Sequence, residues 1–187
     1  MGDCVRIKKQ NIIDLFTKQD MALLKQKVTN LRDQCVIFTG IECGARVGEM
    51  RSITPESIDW RNKVLTKVDS KKHVERKCGI SPWLTQQLQF YIAAFRIEKR
   101  QPLFDLSEKQ MDYILKKWAR EAGIFTNDNW LSWHIVRRTY INQCAQAGID
   151  PLEVQAVTGD RLDTIMRYYR KANPGDTSAK MAKFYEE

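Results

Sequence analysis

Arg46 stands in the segment G-A-R-V-G-E-M (44–50), and His134 and Arg137 stand in W-H-I-V-R-R-T-Y (133–140). A tandem pair, Tyr168 and Tyr169, closes V-T-G-D-R-L-D-T-I-M-R-Y-Y (157–169). A guanidinium grips an oxyanion with two parallel N–H bonds. An imidazole changes charge near neutral pH. A phenol becomes a nucleophile once a base or a cationic field activates it. Taken singly, each segment has an ordinary reading. Arg46 suits a solvated cap, because surface arginine is the common case. His134 and Arg137 are three apart and share a helix face, as polar surface pairs often do. Tyrosines near a helix end usually pack against a core or its rim.

The elements that carry these residues are legible in the pattern around them. Residues 14–29 have helical spacing, with Thr17 as N-cap before KQDMALLKQKV. The segment 31–50 begins as an apolar helix that buries Val36, Ile37, Phe38 and Ile41. Gly44 and Gly48 bracket its end and suggest a turn into a second short helix. T-P-E-S (54–57) is a turn or a helix start, since Pro55 suits a first helical position. Residues 63–81 have β-branched ends and the charged middle D-S-K-K-H, which predicts a β-hairpin or small sheet. Pro82 opens a helix through WLTQQLQFYIAAFRIEKR, with Pro102 just beyond its end. A helix over 107–122 takes Ser107 as cap and Gly123 as stop. Gly148 ends a helix begun at Trp133, and Gly159 ends a short capped helix begun at Asp150. Residues 163–169 are helical again before N-P-G-D (173–176) breaks the pattern. The whole reads as mainly α with a small antiparallel β-sheet, an α+β domain without internal repeats.

Bulk properties narrow the partners. The 187 residues are 43% hydrophobic and 10% aromatic, enough for one domain with a real core. The net charge of +8 argues for a polyanionic partner, nucleic acid first and an acidic membrane second. No apolar run approaches the roughly 18 residues of a membrane span. MGDCVRIKKQ lacks the apolar stretch of a signal peptide. Five dispersed cysteines without a C-x-x-C pair, and only two histidines, exclude zinc-site and disulfide-framework patterns and fit an intracellular compartment.

Order and context link the segments. The succession of an arginine segment, a lysine-bearing hairpin, His-x-x-Arg, a glycine and a tyrosine resembles the tyrosine recombinases, the phage integrase and Xer-type family. Cys43-Gly44-Ala45-Arg46-Val47-Gly48-Glu49-Met50 resembles that family's T-G-x-R-x-x-E-L, and His134-Ile135-Val136-Arg137-Arg138-Thr139 its H-x-L-R-R-T. Gly159-Asp160 resembles the end of its L-G-H, and a tyrosine nine positions after Asp160 selects Tyr169 over Tyr168. Counting back from E-R-K (75–77), Lys71 matches the family's hairpin lysine, with Lys72 close behind. The likeness spans roughly residues 15 to 172.

The resemblance implies the recombinase catalytic-domain fold over 15–187, with 1–14 a poorly ordered leader or a linker remnant. It implies that Arg46 and Arg137 clamp a DNA phosphate and that Tyr169 attacks it, forming a 3′-phosphotyrosyl bond and freeing a 5′-hydroxyl. That bond conserves the energy of the phosphodiester, so no ATP, metal or other cofactor is expected. His134 would bond the phosphate or shuttle a proton, Lys71 (or Lys72) would protonate the leaving oxygen, and Glu49 would orient the arginines. Lys67, Lys72, Arg76 and Arg138 are the expected DNA contacts. The implied partners are double-stranded DNA and further copies assembled on it as a tetrameric synapse, the free protein being a monomer. No membrane is implied, and the implied location is cytoplasmic or nucleoid-associated, or a host cell's interior.

One position departs from the pattern: Asp160 replaces the family's usual His or Trp. It either pairs with Arg137 or Arg161, or marks a slow or degenerate enzyme, or belongs to a divergent branch. The alternatives to a recombinase are a non-catalytic DNA-binding module of the same fold, a helix-turn-helix regulator and a related topoisomerase. The helix-turn-helix reading leaves Arg46 and Tyr169 without a use.

Overall fold

The computed structural model describes residues 15–69, 72–124 and 131–172. Lys71, the 1–14 leader, the N-P-G-D break and the tail beyond it lie outside these residues.

Helix α1 (Lys18–Lys27) starts at the expected cap: Thr17 Oγ1 accepts from Asp20 N–H, and the Asp20 carboxylate accepts from Thr17 N–H. Helix α2 (Leu31–Cys43) is the axis of the core. Every residue from Cys35 to Ile41 is buried, so the helix is enclosed on all sides rather than amphipathic. Gly40 sits where a Cβ would come within 2.5 Å of the Trp133 ring, and it lets the two helices close on each other. Gly44 then ends α2 in the left-handed region (φ 54°), and the four-residue helix α3 (Val47–Met50) follows. Gly48 lies inside α3 rather than at a boundary.

A 3-10 turn at Pro55–Ser57 leads to a sheet in the order β1-β2-β3, all antiparallel. Strands β2 (Val64–Val68) and β3 (Glu75–Gly79) are the expected hairpin, with Leu65 opposite Cys78 and Lys67 opposite Arg76. The two-residue β1 (Ile58–Asp59) adds an edge that no sequence pattern announced.

Helix α4 (Pro82–Phe95) stops short of the expected end near residue 100. The reason is tertiary. Tyr91 is its last buried residue, donating to Leu103 O at 3.0 Å. Arg96 then turns left-handed (φ 52°), and Ile97 N–H bonds back to Ile92 O, which returns Ile97 to the core. Helix α5 (Glu108–Glu121) is capped by Ser107 and ties to α2 through Trp118 Nε1, which donates to the buried Asp33 carboxylate at 2.8 Å. Helices α6 (Trp133–Gln146), α7 (Pro151–Thr158) and α8 (Leu162–Ala172) complete the fold. A second apolar cluster joins them through Ile141, Cys144, Ala145, Val154, Ile165 and Tyr168. Phe16 N–H donates to the buried Thr139 hydroxyl and pins the start of the described chain to α6. Among the described residues no helix is long and apolar enough to cross a membrane.

Candidate active site

The turn between α2 and α3 organises the site. Three consecutive carbonyls there are claimed by side chains of two other elements. Cys43 O accepts from Lys67 Nζ at 2.6 Å, Gly44 O from Arg137 Nη1 at 2.7 Å, and Ala45 O from Trp133 Nε1 at 2.9 Å. Thus β2 and the first turn of α6 are bolted to the segment that carries Arg46. Trp133 N–H is held separately by Asp112 at 2.6 Å, which fixes the start of α6.

Arg46 and Arg137 converge on one carboxylate. Asp160 Oδ1 receives Arg46 Nη2 at 2.8 Å and Arg137 Nη2 at 2.9 Å, while Oδ2 receives Arg137 Nε at 2.9 Å. Of the three readings open for Asp160, the pairing with Arg137 is what the fold contains, with Arg46 added. Arg161 pairs with Asp163 instead, at 3.2 Å on the surface. Burial opposes the charge on Asp160, but the Arg137 and Arg46 guanidiniums outweigh it and hold the carboxyl below the usual carboxylate range. Arg137 also donates to Thr158 O, so the C-terminus of α7 is part of its seat.

Beneath this layer lies Glu49, 1% exposed. Its carboxylate meets Arg46 Nη1 at 3.2 Å, Lys67 Nζ at 3.3 Å and Arg137 Nη1 at 3.5 Å, and accepts from Arg46 N–H at 2.9 Å. Glu49 thus contacts both arginines and the buried lysine at once. Asp69, which the sequence reading passed over, accepts from Arg46 Nη1 at 3.3 Å and lies 3.9 Å from Arg76.

Several expected DNA contacts are placed elsewhere. Lys67 is wholly buried between Cys43 O and Glu49, and its ammonium serves the cluster from inside. The alternation of β2 could have shown this, since Leu65 and Lys67 share the inward face. The Arg76 side chain is 12% exposed and lies against Gly159, where a Cβ would approach its guanidinium to 2.3 Å; it also donates to Ala156 O. Lys72 and Arg138 are exposed, as a groove contact requires. His134 is exposed on the first turn of α6 and makes no hydrogen bond to a described residue. Lys72 N–H donates to Asp69 Oδ1 at 3.2 Å, tying the hairpin turn to the arginine cluster.

The two tyrosines diverge. The Tyr169 hydroxyl donates to Ile149 O, in the turn after α6, and does not reach the arginines. Burial, then the neighbouring Cys144, Asp150 and Glu153, push its phenol up to about 12. Tyr168 is 8% exposed, with its ring in the α6–α8 cluster.

Residues 15–175 match the model of the phage integrase family. The chain is 26% identical over 153 residues to the tyrosine recombinase XerC of Chlamydia caviae, covering 76% of this chain and 48% of that protein. It is 21% identical over 164 residues to the XerA recombinase of Pyrococcus horikoshii, covering 83% and 56%. The chain thus spans about half the length of these relatives. Its fold superposes on the catalytic domain of bacteriophage HP1 integrase with a TM-score of 0.66 at 20% identity, covering 89% of this chain and 93% of that one. It superposes on the Tn1549 transposon integrase in complex with circular intermediate DNA with a TM-score of 0.75 at 16% identity, covering 94% and 68%.

Proposed function

Because the chain belongs to the phage integrase family, the tyrosine recombinases, we propose that residues 15–187 are the catalytic domain of a site-specific recombinase that cuts and rejoins double-stranded DNA. The convergence of Arg46 and Arg137 on a single carboxylate carries the reading. Two guanidiniums that meet across one carboxylate present donors with the spacing to hold two oxygens of a phosphodiester. Donors fixed before the reaction stabilise the charge that grows on those oxygens, at roughly 3 kcal/mol for each donor lost. Glu49 and the three turn carbonyls supply the fixing.

In the reaction, a tyrosine of the tandem pair on α8 attacks phosphorus. The bond to the tyrosyl oxygen forms as the bond to the 5′-oxygen breaks, and the 3′-phosphate stays on the protein. His134, exposed on α6 three residues before Arg137, takes part in proton transfer. Lys71 or Lys72 on the hairpin gives a proton to the 5′-oxygen. In the sequence, the count of nine residues from Asp160 is what separates Tyr169 from Tyr168. A full exchange joins two duplexes and needs several copies, so assembly on DNA is part of the proposal. Neither metal nor nucleotide is needed, since the phosphotyrosyl bond retains the energy of the bond that was cut.

Asp160 favours a second reading, a DNA-binding module of the same fold with impaired chemistry, because its carboxylate already occupies the arginines. One experiment separates the two. Supercoiled plasmid is incubated with the chain in chelator and quenched with detergent. The recombinase reading expects DNA-linked protein, lost in Arg46→Ala and Arg137→Ala. Plasmid binding without linked protein in the native chain would leave only the binding module.

A further inference from the structure

We infer that Tyr168, not Tyr169, is the nucleophile of the cleavage step. The inference rests on the recombinase reading and changes the residue that spacing selects. The count of nine from Asp160 holds only if the turn between Gly159 and the start of α8 at Leu162 has the family's length; a turn shorter by one residue puts the same helical position on Tyr168.

The geometry of α8 separates the pair. Adjacent helical residues point about 100° apart, so one tyrosine at a time faces the arginine cluster. Arg161, Thr164 and Tyr168 fall on one stripe; Leu162, Ile165 and Tyr169 fall on the next. Aromatic side chains in a helix lean back toward its N-terminus, and that end of α8 is where Asp160 enters the cluster. Tyr168 leans toward it along the stripe headed by Arg161. Tyr169 leans along the other stripe, and its hydroxyl ends on Ile149 O. Ile149 follows the C-terminus of α6, whereas Arg137 lies in the helix's first half. The span from Arg137 to Gln146 alone is about 14 Å of helix rise.

The surroundings agree. Besides the burial of its ring, the charged groups acting on the Tyr168 phenol are Arg138, Asp160 and Arg167. Those acting on Tyr169 are Cys144, Asp150 and Glu153, all of which disfavour a phenolate. An attacking oxygen must shed its proton as it bonds to phosphorus; burial and Asp160 raise the Tyr168 phenol and Arg138 and Arg167 act against that rise, whereas the groups around Tyr169 all raise it. The Tyr168 hydroxyl makes no hydrogen bond to a described residue. It is also not among the sealed, unpartnered polar atoms there, which are Thr39 Oγ1 and Arg76 Nε. It is thus a held ring with an uncommitted oxygen, while the oxygen of Tyr169 is committed to a carbonyl. In the step itself, the Tyr168 oxygen bonds to phosphorus, the bond to the 5′-oxygen breaks, the phenolic proton passes to a base, and the departing oxygen takes one up.

The test uses supercoiled plasmid in chelator with the native chain, Tyr168→Phe and Tyr169→Phe. The native adduct is also trimmed with nuclease, digested with trypsin and sequenced by tandem mass spectrometry to find which tyrosine carries the residual nucleotide. Expected are loss of the adduct in Tyr168→Phe, its survival in Tyr169→Phe, and the nucleotide on Tyr168. A nucleotide on Tyr169, or an adduct that survives Tyr168→Phe, overturns the inference and leaves the recombinase reading standing. If both variants fail to form adduct, the position of the nucleotide on the native chain decides. No adduct with the native chain removes the recombinase reading and this inference with it.

Discussion

Glu49, Asp69 and Asp160 face four cations, Arg46, Lys67, Arg76 and Arg137, inside one cluster. The near balance of charge lets Lys67 and Arg137 be buried, because an unpaired cation there would be strongly destabilising. It also means that a phosphate entering between Arg46 and Arg137 must replace the Asp160 carboxylate. Asp160→Asn is therefore expected to raise plasmid affinity while lowering the melting temperature, since it removes a charge that both repels DNA and holds the arginines. Paired binding titrations and thermal melts check the opposite signs; affinity falling together with stability would show that Asp160 does not compete with phosphate. Lys67 and Arg138 separate burial from contact in the same way. Arg138→Gln should leave the melt nearly unchanged and lower the slope of log affinity against log salt by about 1. Lys67→Met should act on the melt, because the ammonium it removes is enclosed with Glu49.

At the scale of elements, the α2–α3 turn joins three pieces that are distant in sequence. Gly44 is the position where this depends on glycine. Its φ of 54° is unfavourable for other residues by roughly 1–2 kcal/mol, and a Cβ would stand 2.6 Å from Tyr140 Cδ1. Gly44→Ala is thus expected to lower the melting temperature by several degrees. It should reduce DNA-linked protein even well below the melt, because Gly44 O seats Arg137. A melt shift with full adduct formation would show that the seat tolerates the displacement. The same elements explain which boundaries were readable. Thr17, Ser107, Asp150 and Gly159 are caps whose signals are local, and each caps its helix as expected. The end of α4 was not readable, because the contacts that decide it, Tyr91 to Leu103 and Ile97 back to the core, lie outside the helix.

For the whole molecule, pH reports the state of the cluster. Asp160 has its native pKa held below its unfolded value of about 3.9. The stability it contributes is present above about pH 4 and is lost as pH falls through the native value. Tyr169 is the opposite case. Its pKa is raised to about 12 from an unfolded value near 10. Its contribution is full below about pH 10 and is lost as pH rises toward 12. Acid and alkaline unfolding followed by circular dichroism should show Asp160→Asn weakening the acid limb's dependence on pH and Tyr169→Phe the alkaline limb's, each leaving the other limb in place.

The sequence by itself determined the class of fold and the order of the helices and hairpin, because periodicity and caps are properties of neighbouring residues; the candidates Arg46, Glu49, His134, Arg137 and Asp160 came from its resemblance to the recombinases. It also showed that the position of Asp160 was unusual. The tertiary structure decided what Asp160 touches, since its partners Arg46 and Arg137 come from other elements. It decided that Lys67 and Arg76 are enclosed, because charge in a sequence carries no statement of depth. It also decided the directions of Tyr168 and Tyr169. Two adjacent residues of one type are equivalent to a residue count, and only the rotation of α8 against α6 and α7 puts the Tyr168 ring in their shared apolar cluster and the Tyr169 hydroxyl against Ile149.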